Sequence, residues 1–253
     1  MTIASMDLQD IDSMFVGPDT GARMSSISPE QYAAARNYWG KLTSCQHLSP
    51  RMRELVLLAV HASACTLNDR AIGQYVKRAL AAGATEADIV DTLLAVVGLA
   101  NHGVMLALPI LVKVLQEQAP AEPPLTPEMR PDAAQARDEY YAARRFGPFE
   151  KMDLVGKWLP DYAVGLLNLS TQTWTHGSLT RKERHLLCIS IDASVAHAYE
   201  SGIEAHMRFA IQNGATREEI LEVLQLTGLM GIEGFLTGAD SLCEGNETSA
   251  TSG

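Results

Sequence analysis

The fold is decided by two stretches that share one layout. They are Leu48–Leu93, LSPRMRELVLLAVHASACTLNDRAIGQYVKRALAAGATEADIVDTL, and Leu179–Leu224, LTRKERHLLCISIDASVAHAYESGIEAHMRFAIQNGATREEILEVL. Sliding the first onto the second by 131 positions needs no gap. Leu48, Arg53, Leu55, Ala62, Ser63, Ile72 and Ala79 then fall on Leu179, Arg184, Leu186, Ala193, Ser194, Ile203 and Ala210. Gly83-Ala84-Thr85 falls on Gly214-Ala215-Thr216, and Ile89 and Leu93 fall on Ile220 and Leu224. Further on, Gly103 and Leu111 match Gly234 and Leu242. A helical unit used twice fixes the architecture before any single residue is interpreted. Each copy carries an apolar helix face that it cannot cover alone, so the two are expected to pack as a pseudo-two-fold pair.

Helix punctuation supports this reading. Ser28-Pro29 and Ser49-Pro50 each offer a cap followed by an N1 proline, and Gln31 stands at the capping-box position. The segment Thr66–Arg70 predicts a break. The next helix stops at Gly83, which suits a left-handed C-terminal position. Thr85 with Asp88, and Thr180 with Glu183, open further helices. Helices are also expected over 133–145, 155–158 and 162–175, interrupted by FGPF at 146–149. No alternating strand pattern occurs, so the fold class is all-α. The expected divisions are an arm over 1–26, a first repeat over 27–118, a proline-rich linker over 119–131, a second repeat over 132–244 and a disordered tail over 245–253. The arm reads as disordered or draped on a partner.

Composition narrows the function. The chain of 253 residues has a net charge of −10, and its pI is about 5.1, which argues against nucleic-acid binding. An anionic ligand must find a local cation against that field. No apolar run predicts a membrane crossing, and the acidic N-terminus lacks the order of a signal peptide. Cys45, Cys65, Cys188 and Cys243 form no close pair and read as reduced thiols of a cytoplasmic protein.

LTRKERHLL followed by ESGIEAHMRFAIQNGATREEILEVL resembles the carboxymuconolactone decarboxylase family, which includes alkylhydroperoxidase-D-like proteins. The pattern is Leu179 and Arg184, then His206 eight residues before Gly214-Ala215-Thr216, then Glu218, Glu219 and Ile220. The likeness spans most of 48–244 in two copies and implies an alkylhydroperoxidase-D-like fold in a homo-oligomer. Departures matter as much. The peroxidase branch has cysteines seven and four residues before the histidine; here these are Tyr199 and Gly202, and in the first repeat Asn68 and Ala71, with Tyr75 replacing the histidine. A dithiol relay needs two neighbouring thiols, so that activity is rejected. Gly202 also stands where the decarboxylase branch often has a glutamate.

His206 is the sharpest catalytic candidate, because an imidazole can carry a proton near neutral pH; otherwise it is a hydrogen-bonded core histidine. On a continuous helix Asp192, Tyr199 and His206 share a face, and a break near Ala198 would remove Asp192. His197, Glu200 and Glu204 share another face. That face reads either as solvated or with Glu200 or Glu204 lining a neighbouring subunit's cleft, Glu200 as the catalytic candidate. No tight metal signature is present, and no metal or cofactor is expected. His61 and His102 match Asp192 and Glu233, so ionisable pairs recur in both copies. With Tyr75 and Arg184 they are the substrate-binding candidates, and Arg53 and Arg184 are also candidates for structural pairing with acids.

The resemblance implies a cofactor-free lyase of decarboxylase type, or a related isomerase or hydrolase, acting on a small carboxylated lactone or keto acid. His206 would donate the proton and Tyr199 or Tyr75 would bond the enolate oxygen. The alternatives are a non-catalytic small-molecule-binding or scaffold protein, and more remotely a thiol peroxidase using Cys65.

Overall fold

The computed structural model describes residues 6–44, 46–119, 127–145 and 150–250. Among them are thirteen α-helices and no strand. They are α1 (Thr20–Ile27), α2 (Pro29–Thr43), α3 (Pro50–Ala62), α4 (Asp69–Ala81), α5 (Glu86–Leu99), α6 (His102–Gln118), α7 (Pro131–Arg144), α8 (Glu150–Trp158), α9 (Pro160–His176), α10 (Arg181–Asp192), α11 (Glu200–Gln212), α12 (Arg217–Thr227) and α13 (Glu233–Ala250). Cys45, the linker core over 120–126 and FGPF over 146–149 lie outside the described residues.

The 131-residue register holds well beyond the quoted stretches. It carries α1 and α2 onto α8 and α9, and α3 to α6 onto α10 to α13. The repeated unit is therefore six helices, and α7 is the extra element before the second copy. Helices α3 and α10 pack on each other at the centre; α5 lies on α10 as α12 lies on α3. That reciprocity is the expected pseudo-two-fold. The core is continuous across the axis: Leu55, Leu57 and Leu58 pack in one cluster with Leu186, Leu187 and Ile189. Burying such side chains contributes about 1.5–3 kcal/mol each.

Local signals place the elements. Thr85, Thr180 and Thr216 each form a two-way capping box with the acid three residues on, and Ser49 accepts from Met52 N. Each such cap is worth about 1 kcal/mol. Gly83 and Gly214 take φ of +90° and +88°, a conformation that glycine adopts without Cβ strain. Ser28 differs from its expected role: the helix does start at Pro29, but the Ser28 hydroxyl donates to Gln31 Oε1 rather than capping the backbone.

Three expectations need correction. The arm, from residue 6 on, is an integral part of the first half, with Ile11 and Met14 fully buried in the core. The tail is helical to Ala250. Finally, Glu86–Gln118 and Arg217–Glu244 are each long and apolar enough to cross a bilayer by length and composition. Both runs are interrupted midway, by the turn at Ala100-Asn101 and by the 3-10 turn Gly228–Ile232. Both also turn an ionisable group, His102 or Glu233, into the protein interior.

Candidate functional site

Between α10 and α11 the chain makes a tight loop rather than a continuous helix. Tyr199 N donates to Asp192 O at 2.9 Å and Ala198 takes φ +45°. The first half repeats the turn, with Asn68 N on His61 O at 3.0 Å and Leu67 at φ +34°. Non-glycine residues at positive φ are strained, and such strain clusters at functional sites. The helix thus breaks where Asp192 was expected to drop out, yet Asp192 stays in the group because the loop folds back. His206 Nε2 lies 4.0 Å from Asp192 Oδ2.

Around Asp192 gather histidines from both copies, His102 from α6 of the first and His197 and His206 from the second. His102 Nδ1 is 3.3 Å and His197 Nε2 3.4 Å from Asp192 Oδ1. His102 Nδ1 and His197 Nε2 are 2.9 Å apart. Tyr199 stacks on His102 with ring centroids 4.0 Å apart. His206 Nδ1 meets His185 Nδ1 at 3.0 Å, so one ring donates and the other accepts. The carboxylate opposite His206 Nε2 favours the tautomer with hydrogen on Nε2. His185 is held against Trp174 and Phe209.

Gly202 explains the missing glutamate. A Cβ at Gly202 would overlap the Asp192 carboxylate and the Tyr199 ring. A carboxylate from α10 thus occupies the space that a side chain at 202 would need. The first half, with His61 in place of Asp192, accommodates a fully buried Ala71 at the matching position.

Beside this cluster is a cavity of about 300 Å³. His206, His102, Tyr199, Arg144, Arg184 and Trp174 line it, with an apolar wall from α5, α6, α8 and α9. Arg184 Nη2 binds Asp91 Oδ2 at 2.6 Å, while its buried Nη1 has no hydrogen-bond partner among the described residues. The Tyr199 hydroxyl is likewise buried without one. The Arg144 guanidinium donates to the Tyr140 hydroxyl and lies 4.8 Å over its ring. Two cations therefore stand in the wall of an otherwise acidic protein.

Burial, with the Arg144 charge and neighbouring imidazoles, holds the His206 pKa well below its ordinary value. Burial with Arg144, Arg181 and Arg184 brings His185 down to about 3. Both rings are therefore neutral at pH 7. Burial pushes the Cys188 thiol up to about 12, which leaves it protonated.

The sequence candidates separate cleanly. His206, Tyr199, His102 and Arg184 come together at the cavity. His61 and Tyr75 do not: they stack on each other, centroids 4.7 Å apart, in the first half. Burial raises the Tyr75 pKa well above its usual value. Glu200 is exposed at the start of α11, away from the cavity lining. Glu204 pairs with Arg208 on the surface. His197 leaves the face it was expected to share with them and turns inward. Sequence reasoning missed His185, Arg144 and Trp174. The available signal for His185 was its match to Glu54, an ionisable residue at the same repeat position.

An all-helical tandem repeat with a buried histidine–carboxylate centre beside a cavity defines the class. The carboxymuconolactone decarboxylase family model matches residues 29–108 and 160–231, and the chain belongs to that family. A crystal structure from Burkholderia xenovorans, described provisionally as a gamma-carboxymuconolactone decarboxylase subunit, superposes with a TM-score of 0.82 at 24% identity. The match covers 96% of each chain. No curated protein matches.

Proposed function

We propose that the cavity binds a small carboxylated lactone or keto acid and that His206 transfers a proton on it. The reaction is a decarboxylation, or isomerisation or hydrolysis of a related lactone. The observation that supports this is the lining: His206 shares the cavity with Arg144, with the unpartnered Arg184 Nη1 and with the unpartnered Tyr199 hydroxyl. The guanidinium groups hold the substrate carboxylates. As the bond to the departing CO2 breaks, its electron pair moves into the adjacent carbonyl. Tyr199 O–H and His206 Nε2–H donate to the resulting enolate oxygen. A carboxylate that offsets the Arg144 charge removes one cause of the depressed His206 pKa. His206 then takes up a proton with the substrate and delivers it to carbon after CO2 leaves, so one proton is consumed per CO2 released.

The test is turnover of carboxymuconolactone and related acids by His206→Asn. The expected loss is about 10²–10⁴-fold in a variant whose far-UV circular dichroism is unchanged. Undiminished turnover would contradict the proposal. A second reading, a non-catalytic binder of the same ligands, is favoured by the apolar wall of Leu94, Leu99, Met105, Met152 and Leu167. Tight binding with no turnover by the unmodified protein selects it.

Self-association belongs to the same proposal. Leu106, Ile110, Leu111 and Leu115 leave an apolar face of α6 exposed, and the similar Burkholderia protein is described as a subunit. Light scattering checks this. The free thiols of Cys65, Cys188 and Cys243 support a reducing, cytoplasmic setting.

A further inference from the structure

Asp192 is fully buried, and neither of its carboxylate oxygens has a hydrogen-bond partner among the described residues. Burying a carboxylate in that way costs several kcal/mol unless a cation compensates it. The matching centre around His61 shows the solution used there. Its carboxylate, Glu233 of α13 in the second copy, faces His61 Nε2 at 3.2 Å, and it also receives Arg70 Nη2 at 2.9 Å and Asn68 Nδ2 at 3.2 Å. The 131-residue register turns Arg70 into Ser201 and Asn68 into Tyr199. The second half has lost the fixed cation and has gained His197 in its place, on the loop position of Thr66.

We propose that His102 Nδ1, His197 Nε2 and Asp192 Oδ1 hold a divalent first-row transition ion. The three atoms form a triangle with edges of 2.9, 3.3 and 3.4 Å. Ligands about 2.1 Å from one ion lie roughly 3.0–3.4 Å apart in octahedral or tetrahedral arrangements. The triangle therefore needs little adjustment, and the ion sits about 1 Å off its plane. Two imidazoles and one carboxylate suit zinc, iron(II) or cobalt(II) better than calcium or magnesium, which prefer all-oxygen sets. The other nitrogen of His197, Nδ1, contacts Cys65 Sγ at 3.2 Å, an outer partner of the kind that fixes the orientation of a ligating ring. Three protein ligands leave coordination positions open, and His102 lines the cavity, so the ion stands in the cavity wall. This departs from the sequence expectation of a metal-free protein and does not rest on the proposed proton chemistry.

The test is a cobalt(II) titration of the chelator-stripped full chain, read by visible d–d absorption and by bound metal per chain. One ion per chain, displaced by zinc, is expected. Asp192→Asn and His197→Ala are expected to abolish it. Cys65→Ser should weaken it about 10–100-fold without changing the stoichiometry, and His176→Ala, on the surface, should leave it unchanged. The proposal is overturned if the unmodified chain gives no d–d band, or if His197→Ala binds as well as the unmodified chain. Where Asp192→Asn fails to fold, His197→Gln at the partly exposed loop decides by the same readout.

Discussion

The two halves share one backbone plan and differ at their polar centres. In the first half Arg70, Gln74 and Arg78 lie along α4 and clamp the arm. Arg70 Nη1 donates to Met14 O at 2.7 Å, Gln74 Nε2 to Phe15 O at 3.2 Å and Arg78 Nη2 to Leu8 O at 2.8 Å. Arg78 also forms a two-pronged ion pair with the buried Glu54, at 2.7 and 3.0 Å. In the second half the same positions are Ser201, Ala205 and Phe209, and all three line the cavity. Glu54 has become His185, His61 has become Asp192 and Tyr75 has become His206. Exchanging long clamping side chains for short or apolar ones opens a space, and exchanging fixed ion pairs for imidazoles fills it with groups that can move protons. One centre is filled by fixed ion pairs, and the other opens on a cavity lined by imidazoles.

The comparison can be broken most sharply at its chemical end. His206→Asn should abolish most turnover, as given above, whereas Tyr75→Phe, at the equivalent position in the first half, should leave it within about twofold. Equal losses would mean that both halves carry the chemistry. At the structural end, Met14→Ala removes a fully buried side chain and should cost about 2–5 kcal/mol, read as a lowered denaturation midpoint. Ser170→Ala, in the cavity wall, should stay within about 0.5 kcal/mol.

Gly202→Ala places a methyl group against Asp192 and Tyr199 and should destabilise by about 1–3 kcal/mol. Adding Asp192→Gly should recover part of that loss, because the overlapping carboxylate is gone. Failure to recover would show that the clash with Tyr199 dominates.

His185 provides the pH test. Its folded pKa of about 3 lies below the ordinary 6.5, so the unfolded chain binds the extra proton between those values. Its contribution to stability is complete above pH 6.5 and falls as pH drops towards 3, by about 1.4 kcal/mol per pH unit. His206, depressed for similar reasons, acts in the same direction. Denaturation midpoints of His185→Phe should therefore depend less steeply on pH than those of the unmodified protein over that range. Parallel slopes would contradict the burial of a neutral ring.

Much of the fold was legible because it rests on signals local in sequence. The gapless 131-residue register, the Gly-Ala-Thr stop-and-start and the threonine caps each constrain a few consecutive residues. The extension of the repeat to α1 and α2 was not seen, since α8 and α9 match them in helix bounds more than in residues. At the site, His206 and Tyr199 can be picked out, but the cavity that takes them in is lined by α5, α6 and α7 to α11 and leaves out Tyr75 and His61. Pairing across the pseudo-axis decides which residues share a cavity, and periodicity carries no information about it. Arg144 comes from α7, the helix outside the repeat, so the register could not point to it. His197 was read on a helix face because the left-handed turn at Ala198 uses a residue without turn character.

The most direct test of an open centre around His206 and a filled centre around His61 is a crystal soaked with carboxymuconolactone or a stable carboxylated analogue. The ligand is expected between Arg144, Arg184 and His206, with its carboxylate on a guanidinium group and with the His61–Tyr75 stack undisturbed. Ligand density beside His61 and Tyr75, or none in the cavity under saturating conditions, would contradict the account.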